Sequence, residues 1–216
     1  MGRGSSKPAG FRDVDGILLL NKPLGITSNK ALQMARHLFK ANKGGHTGSL
    51  DPLASGMLPI CFGEAAKFSS YLLDASKSYR AICHLGKTTS TGDAEGEITS
   101  ESTVNVTEAD ITAVLKSLTG SIQQIPPMYS ALKHKGQPLY RLARKGKEVE
   151  RAARTVEIYK LAQLSFDGFQ LEIDVHCSKG TYIRTIAEDI GSALGCGAFV
   201  SLLDRKAVHP YWQEPS

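Results

Sequence analysis

Apolar positions along this chain change period several times, and each change marks an element. Ile17 to Leu20 form a short continuous apolar run ending at Asn21-Lys22-Pro23, which predicts a buried strand followed by a turn. In SNKALQMARHLFKANKGG, Leu32, Ala35, Leu38 and Phe39 recur at helical spacing, with Ser28 as the N-cap and Gly44 as the stop. LPICFGEA reads as a strand running into a helix start, and AAKFSSYLLDA continues with helical periodicity. SYRAICHLG is strand-like. TEADITAVLKSLTG is a marked helix, with Thr107 and Asp110 as a capping box, Ile111, Val114, Leu115 and Leu118 as the stripe, and Gly120 as the stop. TVEIYKLAQLSFDGFQLEIDVHCSKG reads as a hairpin. Phe169, Leu171, Ile173 and Val175 alternate with polar residues in its second arm, so one face is buried and one is wet. TYIRTIAEDIGSALG closes as a helix with Ile183, Ile186, Ile190 and Leu194 apolar. Strands and helices are interspersed without a regular βαβ beat, which predicts an α+β domain with helices packed on a mixed sheet.

Length and composition narrow the class. The 216 residues suffice for one large domain, or one domain with an appendage, and 41% hydrophobic with 22% charged residues is ordinary for a globular protein. No apolar run approaches the eighteen or so residues of a membrane span. MGRGSSKPAGFRDVDG lacks a signal-peptide core, so residues 1–14 are expected to be a flexible tail, 211–216 a second one, and the location cytoplasmic. Cys61, Cys83, Cys177 and Cys196 are scattered without a C-x-x-C pair, which argues against a structural metal. LGKTTSTGD resembles part of a phosphate-binding loop, but Ala81 stands where that loop needs glycine, and Ser90, Thr91 and Gly92 suit a turn. Hydrolase, zincin and dinucleotide signatures are absent, and no cofactor is expected.

Charge adds a direction. The net charge is +5, and its distribution is uneven. From Lys133 to Arg154 eight Lys or Arg accompany two Glu, interrupted by Tyr140 and two leucines. Such a surface suits a phosphate backbone, because each neutralised phosphate releases counterions, although a solvated helix face would read the same way.

One stretch, GGHTGSLDPLASGML at 44–58, is too rich in glycine for a packed helix. Asp51-Pro52 is by itself a common turn or helix-start pair, in which Asp51 caps the LASGML segment. Other stretches change that reading. KPLGITS, GHTGSLDPLASGML, SYRA and CSKGTYIRTIAEDIG occur in this order and together closely resemble the bacterial tRNA pseudouridine-55 synthases. The resemblance runs from about Asp15 to Val208, and IPPMYSALKHKGQPLYRLARKG is similar to that family's RNA-clamping insertion, about 126–152.

The resemblance implies a catalytic domain over 15–210 with the pseudouridine-synthase α+β fold, a mixed, mainly antiparallel sheet flanked by helices and loops. It implies isomerisation of uridine 55 in the tRNA T-loop, with Asp51 as the catalytic carboxylate. The reaction breaks the N1–C1′ bond, turns the uracil and joins C5 to C1′, so nothing is oxidised and no group is added. A carboxylate suits attack at the sugar, attack at the base, or assistance of elimination. Arg184 matches the arginine that pairs with the aspartate; alone it reads as a surface helix residue pairing with Glu188. Tyr79 matches the tyrosine that stacks on the target uracil, Tyr182 and Leu203 match residues lining the same pocket, and His46 matches a histidine that contacts the rearranged T-loop. Lys22, Lys133, Lys135, Arg141, Arg144, Lys145, Lys147 and Lys179 are the expected RNA-contacting cations. The target nucleotide must be flipped out of a folded loop, and the clamp would hold phosphates meanwhile.

Two features depart from the pattern. The family's L-R-R is Leu203-Asp204-Arg205 here, and the small C-terminal RNA-binding domain usual in the family is not in this sequence. The expected partner is the tRNA T-stem-loop, with no protein partner and a monomeric chain. Two other readings stay open: an RNA-binding or RNA-folding module without catalysis, and a pseudouridine synthase of other specificity, for example guide-RNA-dependent.

Overall fold

The computed structural model describes residues 10–212. In chain order the elements are β1 (Gly16–Lys22), α1 (Ser28–Leu38), β2 (Gly44–His46), β3 (Ala54–Phe62), a 3₁₀ segment (Gly63–Phe68), α2 (Ser69–Asp74), β4 (Lys77–Leu85), β5 (Lys87–Thr89) and β6 (Ile98–Glu101). They continue with α3 (Glu108–Ser117), β7 (Gly120–Gln124), β8 (Lys133–His134), β9 (Gln137–Pro138), α4 (Leu139–Ala143), β10 (Arg154–Phe166), β11 (Gln170–Cys177), α5 (Ile183–Ala193), β12 (Ala198–Val208) and β13 (Tyr211–Trp212). The chain forms two compact units, one reaching to Lys77 and resuming at Asp204, the other Ser78–Leu203.

In the first unit the strand order is β1-β3-β12, with β2 also on β3 and β13 on β12. β1, β2 and β13 pair antiparallel to their neighbours. The run ASGMLPICF is continuously apolar because β3 is covered on both faces. Ile60 and Phe62 pack with Leu32 and Ala35 of α1, while Met57 and Cys61 pack with Leu72 of α2 and Val208. β1 differs from the expected buried strand. It lies at the end of the strand order, and Ile17 and Leu19 are exposed. Its apolar run therefore alternates between core and solvent.

Three local expectations also change. Thr27, not Ser28, caps α1, its Oγ1 accepting from Lys30 N–H at 3.1 Å. The helix ends with Phe39 as its C-cap, five residues before Gly44, which belongs to β2. AAKFSSYLLDA divides into the 3₁₀ segment and the six-residue α2. Residues 10–14 and 211–212 were expected in tails. Yet Arg12 bridges to Ala41, and Tyr211–Trp212 pair with β12; the rest of both tails lies outside the described residues.

In the second unit the order is β12-β4-β11-β10-β7. β10 pairs antiparallel with both β11 and β7, and Leu171, Ile173, Val175 and Cys177 fill the buried face of β11 as the alternation predicts. Phe169 precedes the strand and is exposed. α3 carries the predicted capping box and packs on β10 and α5. α5 buries Ile183, Ile186 and Ile190, each contributing about 1.5–3 kcal/mol by removal from water. Gly191 lets α5 pass the start of β12, since a Cβ there would lie 2.2 Å from Ala198 N.

Candidate active site

The loop between β2 and β3 carries Asp51, and its main chain is braced from several directions within the first unit. Thr47 N–H donates to Pro59 O at 3.1 Å. Buried Ser28 takes Leu50 on both sides, accepting from its N–H at 2.7 Å and donating to its carbonyl at 2.9 Å. Gly25 N–H donates to Pro52 O at 2.8 Å. KPLGITS is thus the brace of the loop that follows it. Ala54 N–H donates to Asp51 O at 3.0 Å, so Asp51-Pro52-Leu53-Ala54 is a turn leading into β3. The simple helix-cap reading of Asp51 fails because Leu53 belongs to this turn and ASGML after it is strand. The Asp51 residue itself is half-buried.

Arg205 holds the loop from the other side. It is 1% exposed, and its guanidinium donates to three carbonyls: Nε to Met57 O at 2.7 Å, Nη2 to Gly48 O at 3.2 Å and Nη1 to Ser49 O at 3.4 Å. Gly56 makes room for this strand. Its φ is +103°, and a Cβ would lie 2.3 Å from Arg205 O. The resemblance marks Arg205 as part of the Leu203-Asp204-Arg205 stretch, but no local pattern in the chain marks it as a brace. The neighbouring Asp204, an acid where arginine was expected, accepts from Ser55 Oγ at 3.1 Å and pairs with Lys206 at 2.5 Å, so its charge is neutralised locally. His46 lies on β2 opposite Ile60. Burial first, and then the Arg205 charge, push its imidazole below the ordinary histidine range. Its buried Nδ1 has no hydrogen-bond partner.

Within the second unit, Tyr79 is buried on β4, Leu203 is buried on β12, and Tyr182 stands at the N-cap of α5. Gln124, at the end of β7, holds the Tyr182 main chain at both N–H and carbonyl. Arg184 is not the surface residue that its helical register alone suggested. It is 5% exposed, with Nη1 donating to Thr91 O at 3.0 Å and Nη2 to Tyr129 O at 2.6 Å. Its Nη1 also lies 3.4 Å from Asp93 Oδ2, with both side chains buried. Asp93 is itself oriented by Thr91 Oγ1 at 2.5 Å and by Glu95 N–H at 3.1 Å. The LGKTTSTGD stretch, read as a plain turn, therefore holds an arginine. Its lysine, Lys87, pairs across β5–β6 with Glu101 at 3.2 Å. Glu188 is raised above the usual carboxylate range by burial, with Asp189 and Asp93 adding to the rise and Arg184 and Arg151 opposing it.

The expected clamp segment is short elements on an exposed frame. β8 and β9 form a hairpin through Lys135 (φ 47°) and Gly136 (φ 81°), and Leu139 of α4 is its buried anchor. Lys133, Lys135, Arg141, Arg144, Lys145 and Lys147 are all exposed, as is Lys179 in the turn after β11. The Arg144 guanidinium lies 5.7 Å from the centre of the Tyr140 ring. Lys22 departs from this set. It is fully buried, its ammonium donating to Pro23 O at 2.8 Å and Ile26 O at 2.9 Å, so it closes the KPLGI turn and presents no charge to a phosphate. All four cysteines are buried thiols, and burial pushes Cys83 up to about 12. Among the described residues, no group of three or more His, Cys, Asp or Glu could hold a metal ion, and no helix is long and apolar enough to cross a membrane.

Residues 36–183 match the TruB family pseudouridylate synthase (N terminal domain). The chain is 58% identical over 200 residues to tRNA pseudouridine synthase B of Yersinia enterocolitica, covering 93% of this chain and 61% of that protein. It is 61% identical over 194 residues to the protein of the same name from Methylobacillus flagellatus, covering 90% of this chain and 64% of the relative. The chain thus spans less than two thirds of the length of these relatives. Among solved structures, it matches a Cbf5-Nop10-Gar1 complex with a TM-score of 0.73 and 32% identity, over 92% of this chain and 50% of that one. The archaeal box H/ACA sRNP Nop10-Cbf5 complex matches at 0.69 and 28%, over 97% and 52%.

Proposed function

The chain belongs to the TruB family of pseudouridylate synthases, with their α+β fold, and we propose that it isomerises uridine 55 in the T-loop of tRNA to pseudouridine. The observation that carries the reading is the 58–61% identity, across nine tenths of the chain, to proteins named for tRNA pseudouridine synthesis. A pseudouridine synthase of other RNA specificity has the weaker support of 28–32% identity to the Cbf5 structures.

In the proposed reaction Asp51 supplies the carboxylate that meets the flipped-out nucleotide, and Arg184 is the cation that supports it. The glycosidic N1–C1′ bond breaks, C5 bonds to C1′, the C5 hydrogen leaves to solvent and N1 gains a proton. Atoms and electrons balance without a cofactor. What the protein must supply is a charged group held still before the substrate arrives. The bracing of the loop by Ser28 and Arg205 supports that role, since the Asp51 main chain has few alternative positions. Tyr79 offers a ring face for the uracil, with Tyr182 and Leu203 as further pocket walls. His46, which burial disposes to be neutral, meets RNA as a hydrogen-bonding group rather than as a charge.

The exposed lysines and arginines of 133–147, with Lys179, hold the phosphates while the base is extruded. Such a substrate places the work in the cytoplasm. The test is tritium release from a T-stem-loop RNA carrying 5-³H-uridine at position 55 alone. The proposal expects release by the wild-type chain. Release confined to RNAs labelled at other uridines, or none from any, would contradict it.

A further inference from the structure

Gln124 ends β7, two residues before Pro126, where the clamp segment begins. Its side chain is 2% exposed, and its carboxamide is taken up by one residue's main chain. Oε1 accepts from Tyr182 N–H at 2.8 Å, and Nε2 donates to Tyr182 O at 3.1 Å. A backbone N–H can only donate and a carbonyl can only accept, so the orientation of the amide is fixed by its partners. Tyr182 is the N-cap of α5, and no side chain of its own caps that end. Its carbonyl also accepts the first helical bond, from Ile186 N–H at 3.2 Å.

Holding a residue at both its N–H and its carbonyl removes most freedom in φ and ψ. That sets the Cα–Cβ direction of Tyr182 and the first turn that carries Arg184, two residues on. The same segment reaches α5 again at Tyr129, whose carbonyl accepts from Arg184 at 2.6 Å. Near its other end, the charge of Arg151 acts on Glu188, also on α5. The root of the clamp and the start of α5 are therefore one hydrogen-bonded assembly, with Gln124 making two of its bonds.

We propose that Gln124 is a positioning residue that holds Tyr182 and the first turn of α5 in their reactive places from the root of the clamp segment. The proposal rests on the isomerase reading above. Two variants of the full chain test it. Gln124→Met keeps nearly the same volume and loses both bonds. Gln124→Glu keeps the acceptor, and only its protonated form regains the donor, so acid restores the native pair.

With saturating T-stem-loop RNA, the single-turnover rate of Gln124→Met is expected to fall by about tenfold to a hundredfold, the cost of a small misplacement, with the RNA dissociation constant unchanged. The rate of Gln124→Glu relative to wild type is expected to climb as pH falls from about 8 to about 6, since burial raises a carboxyl's pKa into that range. A wild-type rate in Gln124→Met, or a pH-independent ratio in Gln124→Glu, overturns the proposal. If the wild-type chain releases no tritium, the isomerase reading is what fails. The positioning role is then read from the Tyr182 amide resonance, which must move with pH in Gln124→Glu and stay fixed in wild type. A resonance that titrates in neither protein overturns the role itself.

Discussion

The loop at 44–58 and the segment at 126–152 are both rich in glycine and proline, yet past Tyr129, whose carbonyl takes Arg184, the second is held in the opposite way. The loop's main chain is bonded to buried Ser28 and buried Arg205, and half-buried Asp51 opens a closed turn. The other segment carries six exposed cations on and between two-residue strands, a five-residue helix and the turn after it, with Leu139 as a buried anchor. The difference separates two uses of positive charge. Arg205 and Lys22 are buried and serve carbonyls, whereas Lys133 to Lys147 face solvent and are available to a polyanion. One region is suited to hold a reacting group still, the other to take up a partner.

The largest expected effect is in the loop. Arg205→Met strands carbonyls in a buried site and should cost about 3 kcal/mol or more in urea unfolding, because each unsatisfied group costs about 1–3. A change under about 1 kcal/mol would remove the brace from the account. Ser28→Ala leaves Leu50 N–H without its partner and should cost about 2 kcal/mol by the same measurement.

His46 gives a smaller effect with a definite sign. Its folded pKa is depressed by burial and by Arg205, so its contribution to stability is present above the unfolded value of 6.5 and is lost as pH falls through the lower folded value. The urea midpoint should decline on acidification below neutrality, and His46→Gln should flatten that decline. A steeper decline in the variant would reverse the assignment.

The smallest effect on stability belongs to the clamp. Lys145→Ala or Arg141→Ala should stay within about 0.5 kcal/mol of wild type in unfolding. The same variants should weaken RNA binding and reduce its logarithmic salt slope by about 0.7–0.9 for each phosphate no longer neutralised. Loss of stability without loss of salt dependence would erase the contrast between the two regions.

Legibility from sequence followed the same division. Elements whose signals are local were readable: the capping box of α3, the β10–β11 hairpin with its alternating second arm, and the isoleucine stripe of α5. Ser28 was misread because adjacent Thr27 offers the same hydroxyl to the helix end, and only the distant need of Leu50 decides between them. Lys22 was misread because burial of an ammonium depends on how a turn closes, which charge pattern does not reveal. Asp51, Tyr79, Tyr182 and Arg184 were singled out by motifs alone. Arg205, Asp93 and Gln124, which hold the main chains or side chains around them, are far away in the sequence, and no local pattern marks those holding roles.

The central claim is that a braced loop presents Asp51 as the reacting carboxylate. Single-turnover tritium release from 5-³H-uridine T-stem-loop RNA by Asp51→Asn, set beside wild type, tests it most directly. Asparagine preserves the shape and removes the charge, so the account predicts a folded chain, unchanged RNA affinity and a rate lower by about a thousandfold or more. Release of label at the wild-type rate would contradict it.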